Sequence, residues 1–258
     1  MRQINAILAI AQRDFMKLLR DPARLVSSLI FPLIFITVLG GSLQASFGDA
    51  DLNLLTYTFT GVLAQTLFQS AASGVISLIA DREEDFTQEV FISPISRYSI
   101  ILGKTVGETM VALPQGLALV LLSFILGVGM TVPRALALFP VALAASMLGA
   151  GFGVIVLSNL RNQRSANQVF PFLLLPQFFL AGVFNPITNL PPVLNFFSSL
   201  APMRYAVDLM RSTYYSGRDE YEQVVLLGPL TNLTIMATMF GVFLVIGTAL
   251  FVRKERNR

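Results

Sequence analysis

The interval Asp81–Lys104, DREEDFTQEVFISPISRYSIILGK, is the most charged part of a strongly apolar chain. It holds Asp81, Arg82, Glu83, Glu84, Asp85, Glu89, Arg97 and Lys104. A charge at the centre of a bilayer costs roughly 2.5–3.5 kcal/mol on insertion scales, so this interval belongs in water, between two membrane spans. Its first part has helical spacing: Phe86, Val90 and Phe91 share a face, and Ser93-Pro94 ends the pattern. The interval reads either as an ordinary solvated loop or as a knob offered to another protein.

The rest of the chain supports the membrane setting. Of its 258 residues, 54% are hydrophobic and 13% charged, against about 25% charged in soluble domains. The net charge of +3 is spread over chain ends and short loops, which is topology rather than a nucleic-acid signal. The chain has no Cys and no His. That removes disulfides, thiolate metal sites, Ser-His catalysis and the commonest proton relay. Residues 1–21 carry six charged side chains and lack the apolar run of a signal peptide.

Working outward, residues 3–19 have amphipathic spacing. Ile4, Ile7, Leu8, Ala11, Phe15 and Leu18 fall on one face, with Gln12, Arg13, Lys17 and Arg20 on the other. Such a helix lies along a membrane interface. Asp21-Pro22 starts a first span, 22–43, which Pro32 kinks. The further spans are 54–80, 105–129, 135–158, 166–185 and 226–251, each near the ~20 apolar residues a crossing needs. In the second span, Gly61, Gln65, Gln69, Ser73 and Ser77 recur every fourth residue. That stripe is either glue between helices or a pathway lining. In the third, Glu108 can pair with Lys104 one turn earlier; the competing role for an intramembrane acid is ion coupling. In the fourth, Ala145, Gly149 and Gly153 form a ridge of small residues for close helix contact. The fifth is rich in Phe, including Phe178 and Phe179. Residues 186–214 are apolar but punctuated by Pro186, Pro191, Pro192 and Pro202, and fit two short re-entrant helices. Thr131–Arg134 is expected to be a tight turn.

Lys and Arg set the orientation. Five stand at the amino end, three in 81–104, two in 159–165 and four in the tail, against four on the opposite side. The positive-inside rule places both termini and the 81–104 loop in the cytoplasm. Gly103-Lys104-Thr105 imitates the end of a P-loop, but Tyr98 stands where the first Gly is required and no strand precedes it. No other nucleotide fingerprint is present, so an ATPase would have to be a separate chain.

This arrangement resembles the membrane subunit of type-2 ABC exporters. The likeness rests on Asp81-Arg82-Glu83, Gln88-Glu89, Ser93-Pro94-Ile95-Ser96-Arg97, Gly103-Lys104 and Gln115, and on Pro186, Leu190-Pro191, Leu194, Pro202, Tyr205 and Arg211. It covers nearly the whole chain and is closest to the branch of antibiotic-resistance and nodulation-factor exporters, from which Phe91 departs. The resemblance implies one all-α transmembrane domain over 1–258: an interfacial helix (1–21), six spans, a cytoplasmic coupling loop (81–104) and external helices (186–214). It implies that Arg82, Glu83, Glu84, Phe86, Gln88, Glu89 and Val90 seat in a cleft of an ATPase subunit. ATP and Mg would be bound by that partner, with no cofactor on this chain. It further implies a pair of permeases meeting through spans 1 and 5 in a prokaryotic plasma membrane. The cargo would be drug-like or lipid-like. Pro94, Arg97, Gly103, Lys104, Glu108, Pro186, Pro191, Pro202 and Tyr205 would shape the frame, and Gln65, Gln69, Ser73, Phe178 and Phe179 are candidates for the pathway wall. A lipid-linked glycan exporter and an ion-coupled secondary transporter centred on Glu108 are the competing readings. A non-transporting assembly factor also remains open, while an intramembrane enzyme would lack an identifiable site.

Overall fold

The computed structural model describes residues 2–46, 52–79, 96–160 and 162–256. Among these residues every regular element is helical. The helices are α1 (Arg2–Leu19), α2 (Pro22–Ile34), a π-helical stretch (Phe35–Gly40), α3 (Gly41–Ser46) and α4 (Leu54–Ile76). They continue as α5 (Arg97–Ser123), α6 (Val132–Asn159), α7 (Gln163–Leu180), α8 (Pro192–Leu200), α9 (Pro202–Tyr214), α10 (Tyr221–Val224) and α11 (Pro229–Arg256). The expected site residues Arg82, Glu83, Glu84, Phe86, Gln88, Glu89, Val90 and Pro94 lie outside the described residues.

The centre of the bundle is α4. Its residues from Thr56 to Phe68 are buried without a break, polar and apolar alike. It packs most extensively on α6, along the small-residue ridge expected there. A Cβ on Gly149 would come within 2.1 Å of the Phe68 carbonyl oxygen, and one on Gly153 within 2.6 Å of that of Ala72. The two backbones are therefore in contact, and the glycines are what permits it. On its other side α6 meets α11, where Gly151 faces Phe240 and Gly247 faces Val154.

Pro22 opens α2 as expected, and the backbone N–H of Leu25 bonds to Asp21 O at 3.3 Å. The helix tolerates Pro32, and the irregularity appears just beyond it as the π-helical Phe35–Gly40. Two boundaries differ from the sequence reading. Instead of running over 105–129, the third long helix is α5, from Arg97 to Ser123, because Ser96 caps it by accepting from the Ser99 N–H at 3.1 Å. The expected turn at Thr131–Arg134 lies earlier, at Gly127 (φ 70°) and Gly129 (φ 68°). Val132 and Pro133 already begin α6, because proline at the first turn has no N–H to leave unpaired.

Four stretches among the described residues are long and apolar enough to cross a membrane: Leu25–Ser46, Arg97–Ser123, Val132–Asn159 and Tyr221–Lys254. The expected spans 54–80 and 166–185 correspond to α4 and α7, whose polar residues keep them out of that set. Residues 192–214 form two short helices, as the proline spacing suggested.

Candidate functional site

Three polar constellations sit along α4: one at each end and one between.

The first joins α1, α5 and the end of α4. Lys104 and Glu108 are one turn apart on α5, and Lys104 Nζ lies 2.8 Å from Glu108 Oε1. The expected pair is thus present, but it has a third member. Asp14 of α1 brings Oδ2 to 3.1 Å from Lys104 Nζ, and all three side chains are buried. Arg13 binds the other Asp14 oxygen at 2.9 Å. Such a buried cluster holds together because each carboxylate meets a cation; removing Lys104 would take from both acids the cation they share. Glu108 also needs space, which Gly74 of α4 supplies: a Cβ there would lie 1.8 Å from Glu108 Oε2. A cavity of about 40 Å³ adjoins the cluster, lined also by Ser77 at the end of α4.

Asp14 was missed from the sequence, although a signal was there. Ile7, Ala11, Asp14 and Leu18 are spaced by four, three and four, so an acid stands in the register of the packed face. The expected apolar face of α1 is accordingly only partly right. Ala11 and Leu18 are buried, whereas Ile4 and Leu8 are 61% and 58% exposed. The face that meets α5 is rotated toward Asp14 because Gly103 and Gly107 admit α1 closely: added Cβ atoms would come within 3.0 Å of Ile10 Cβ and of Ala11 Cα. Hydropathy cannot tell an apolar side chain that meets protein from one that faces outward. At the start of α1, Gln3 Oε1 accepts from the Ser96 N–H at 3.2 Å and the Ser99 hydroxyl at 2.6 Å. One helix therefore grips α5 at two points, its capped start and Lys104. Arg97 is the first residue of α5, beside that grip.

The second constellation is a cavity of about 340 Å³ between α2, α4, α5 and α7. The candidates Gln65, Gln69, Ser73 and Phe178 all line it. Gln115 of α5 and Phe31 of α2 complete the wall. Phe179 does not contribute: it is 66% exposed, against 7% for Phe178, and its ring packs edge-on to Phe184. Adjacent residues on a helix point about 100° apart, so only one of the two phenylalanines can face inward. The hydroxyl protons of Ser28, Thr66 and Ser73 are given to the carbonyls of Leu25, Val62 and Gln69. Such bonds let these residues sit in a span without stranded donors.

The third constellation lies where α4 begins. Arg211 of α9 is buried; its Nη2 donates to Gly182 O at 2.7 Å and Val183 O at 3.3 Å. The guanidinium stacks over the Tyr57 ring at 3.6 Å, and the Tyr57 hydroxyl donates to the same Gly182 oxygen at 3.1 Å. Gly182 has φ 67°, a conformation that glycine adopts freely, and this turns the chain sharply after α7. Gly61 lets the turn approach: its Cβ would meet Val183 O at 2.3 Å. One turn before Arg211, Asp208 accepts from the Leu226 and Leu227 N–H groups and from Asn232 Nδ2, each at 2.8 Å. These bonds tie α9 to the start of α11. Tyr205 donates to Ser199 O at 2.7 Å, and Pro202 starts α9. Pro191 is the residue before α8, and Pro186 is exposed on the loop leading to it. Tyr214 donates to Val128 O, and burial holds the phenols of Tyr214 and Tyr215 above the usual tyrosine range. Both thus stay neutral and able to donate.

The described residues thus form an all-helical bundle of chiefly apolar helices with a polar-lined cavity between α2, α4, α5 and α7. The family model for the ABC-2 type transporter matches residues 5–215, and this chain belongs to that family. A Porphyra purpurea protein named as a transport permease, ycf38, is 26% identical over 259 positions, covering 94% of this chain and 88% of its own. The ycf38 protein of Cyanophora paradoxa is 26% identical over 216 positions, covering 82% and 74%. An Escherichia coli protein named as a multidrug ABC transporter permease, YbhR, is 28% identical over 146 positions, covering 54% and 38%. The family is one of transport membrane subunits, not catalytic ones.

Proposed function

We propose that this chain is the membrane half of an ATP-driven exporter, with six spans and both termini in the cytoplasm. A separate ATPase subunit would power it, and a second permease would complete the pathway. The cargo is an amphipathic molecule, drug-like or lipid-like. The observation that carries this is the 340 Å³ cavity, which amides and hydroxyls line together with Phe31 and Phe178. A wall with both characters suits a molecule with both characters. A small ion would call for concentrated charge or carbonyl rings. Glu108, the residue an ion-coupled transporter would need, is already occupied by Lys104.

The coupling route follows from connectivity. Arg82, Glu83, Glu84, Gln88 and Glu89 supply register to the ATPase contact, and Phe86 and Val90 its apolar anchors. ATP binding would draw the ATPase subunits together and push on this segment. The segment leads directly into α5 at Ser96, which Gln3 of α1 holds. A push would therefore move α1 and α5 together, and through Glu108 against Gly74 it would reach α4. This is a two-state element biased by nucleotide. Exposed apolar residues on α2 (Val26, Ile30), on the π-helical stretch after it (Val38) and on α7 (Phe172, Phe179) support a second permease or lipid against this side.

The test is co-expression with candidate ABC ATPase subunits, reconstitution in lipid, and measurement of ATP hydrolysis and transport. The expected result is a stable complex in which Phe86→Asp with Val90→Asp abolishes substrate-stimulated hydrolysis without impairing insertion. Normal stimulation in that double variant would remove the coupling role; failure to associate with any ATPase would remove the exporter reading.

A further inference from the structure

We infer that the 340 Å³ cavity takes the uncharged, hydroxyl- or amide-bearing headgroup of an amphiphile, and turns away phosphate and other anionic headgroups. This rests on the reading of the cavity as part of the cargo path.

The first ground is what the wall lacks. None of the described side chains that line the cavity on α2, α4, α5 and α7 is ionisable. An anion entering there would lose its hydration and gain no cation from these side chains in return. The second ground is an unmet hydrogen-bonding group. Gln65 is 2% exposed and lines the cavity, yet its Oε1 has no hydrogen-bond partner. Its Nε2 lies 3.5 Å from Gln69 Oε1, at the limit of a hydrogen bond. Buried polar groups are rarely left in this condition, and each exception asks for a reason. A ligand that supplies the missing partner is such a reason.

The third ground is the balance of donors and acceptors. Because Ser28, Thr66 and Ser73 give their protons to backbone carbonyls, they offer only lone pairs to anything further. Amide donors remain on Gln69 and Gln115. A hydroxyl or amide donates and accepts at once, so it can serve both sets. A fully ionised phosphate only accepts, and would face lone pairs at Ser28, Thr66 and Ser73. Phe31, Pro32 and Phe178 supply flat apolar surface for the non-polar side of a sugar ring or for the first methylenes of a chain. The volume falls within the ~300–1,000 Å³ of small-ligand sites.

The probe is an alkyl glucoside with a diazirine in its chain, photolysed with the purified permease in nanodiscs and no ATPase present. Labelling should concentrate on peptides containing Gln65–Ser73 and Ser27–Pro32. Excess octyl glucoside should suppress it, and octyl phosphate at the same mole fraction should not. Gln65→Leu should reduce labelling at least ten-fold while circular dichroism stays unchanged. If that variant does not fold, Gln115→Leu makes the same test from α5. Unchanged labelling in the folded variant, or equal competition by octyl phosphate, would overturn the inference. ATP-driven turnover by the complex with no glucoside labelling would sink this inference alone; labelling without ATPase association would sink the transport reading and leave the site.

Discussion

At Gly74, α4 faces a buried carboxylate that Lys104 shares with a second acid from α1; at Gly61, the same helix faces a buried guanidinium held by two carbonyls and a tyrosine ring. The two glycines are thirteen residues apart, about 20 Å along the helix. The first site joins flexible side chains from α1 and α5. Every charged group there sits at the end of a side chain, so a shift of either helix can be followed by side-chain rotation as well as by backbone movement. The second fixes a guanidinium against backbone oxygens at a glycine turn. It tolerates little, because the carbonyls cannot move without moving the chain. If the chain is driven from the 81–95 segment as proposed, the difference would place movement at the Lys104 end and anchorage at the Arg211 end.

The comparison can be broken at several points. The largest effect is expected from Lys104→Met, which leaves Asp14 and Glu108 buried without their shared cation. Breaking one side of a buried ion pair costs about 3–5 kcal/mol, read as a lowered thermal midpoint in lipid nanodiscs. Adding Asp14→Asn and Glu108→Gln should recover most of it; no recovery would mean that Lys104 acts through packing instead. Arg211→Met should cost about 1.5–3 kcal/mol, the range for hydrogen bonds to charged groups. No substitution of a hydrogen-bond partner should rescue it, since those partners are backbone carbonyls. A carboxamide change elsewhere that restores stability would contradict the clamp.

The glycines sharpen the contrast. Gly61→Ala should destabilise by about 1–3 kcal/mol, because its Cβ meets a backbone oxygen at 2.3 Å. Gly74→Ala should cost less, despite the shorter 1.8 Å approach, because it meets the far end of the Glu108 side chain. Equal costs, measured by thermal denaturation of both variants, would show that the charged end is as rigid as the other. The smallest effect belongs to Gln3→Ala. Removing its bonds to Ser96 and Ser99 should cost about 1 kcal/mol, with faster amide exchange at the start of α5. Unchanged exchange there would separate α1 from the coupling route.

Much of this frame was legible in the sequence because it depends on spacing and composition. The Lys104–Glu108 pair needs only a helix and a four-residue gap. The ridge of Ala145, Gly149 and Gly153 needs only small residues in register, and α6 lies on α4 there. Prolines at 191, 192 and 202 mark the starts of α8 and α9. The convergence of Gln65, Gln69 and Ser73 on one wall followed from their shared face. What the spacing could not give was the partner of each face. Asp14 reads as one more charge on an amphipathic helix until α5 comes against it. Phe178 and Phe179 are equivalent by composition, and only the packing of α7 turns one into the cavity and the other away. Arg211 belonged to a motif, but its role depends on a turn at Gly182 that comes from 29 residues earlier in the chain. The sequence by itself determined the membrane class, the helix content and the local pairs, since these arise from interactions within a few residues. Only the tertiary structure decided which buried charges are joined, which polar stripe lines a cavity, and which end of α4 meets backbone carbonyls. Those depend on contacts between segments far apart in the chain, which local periodicity does not encode.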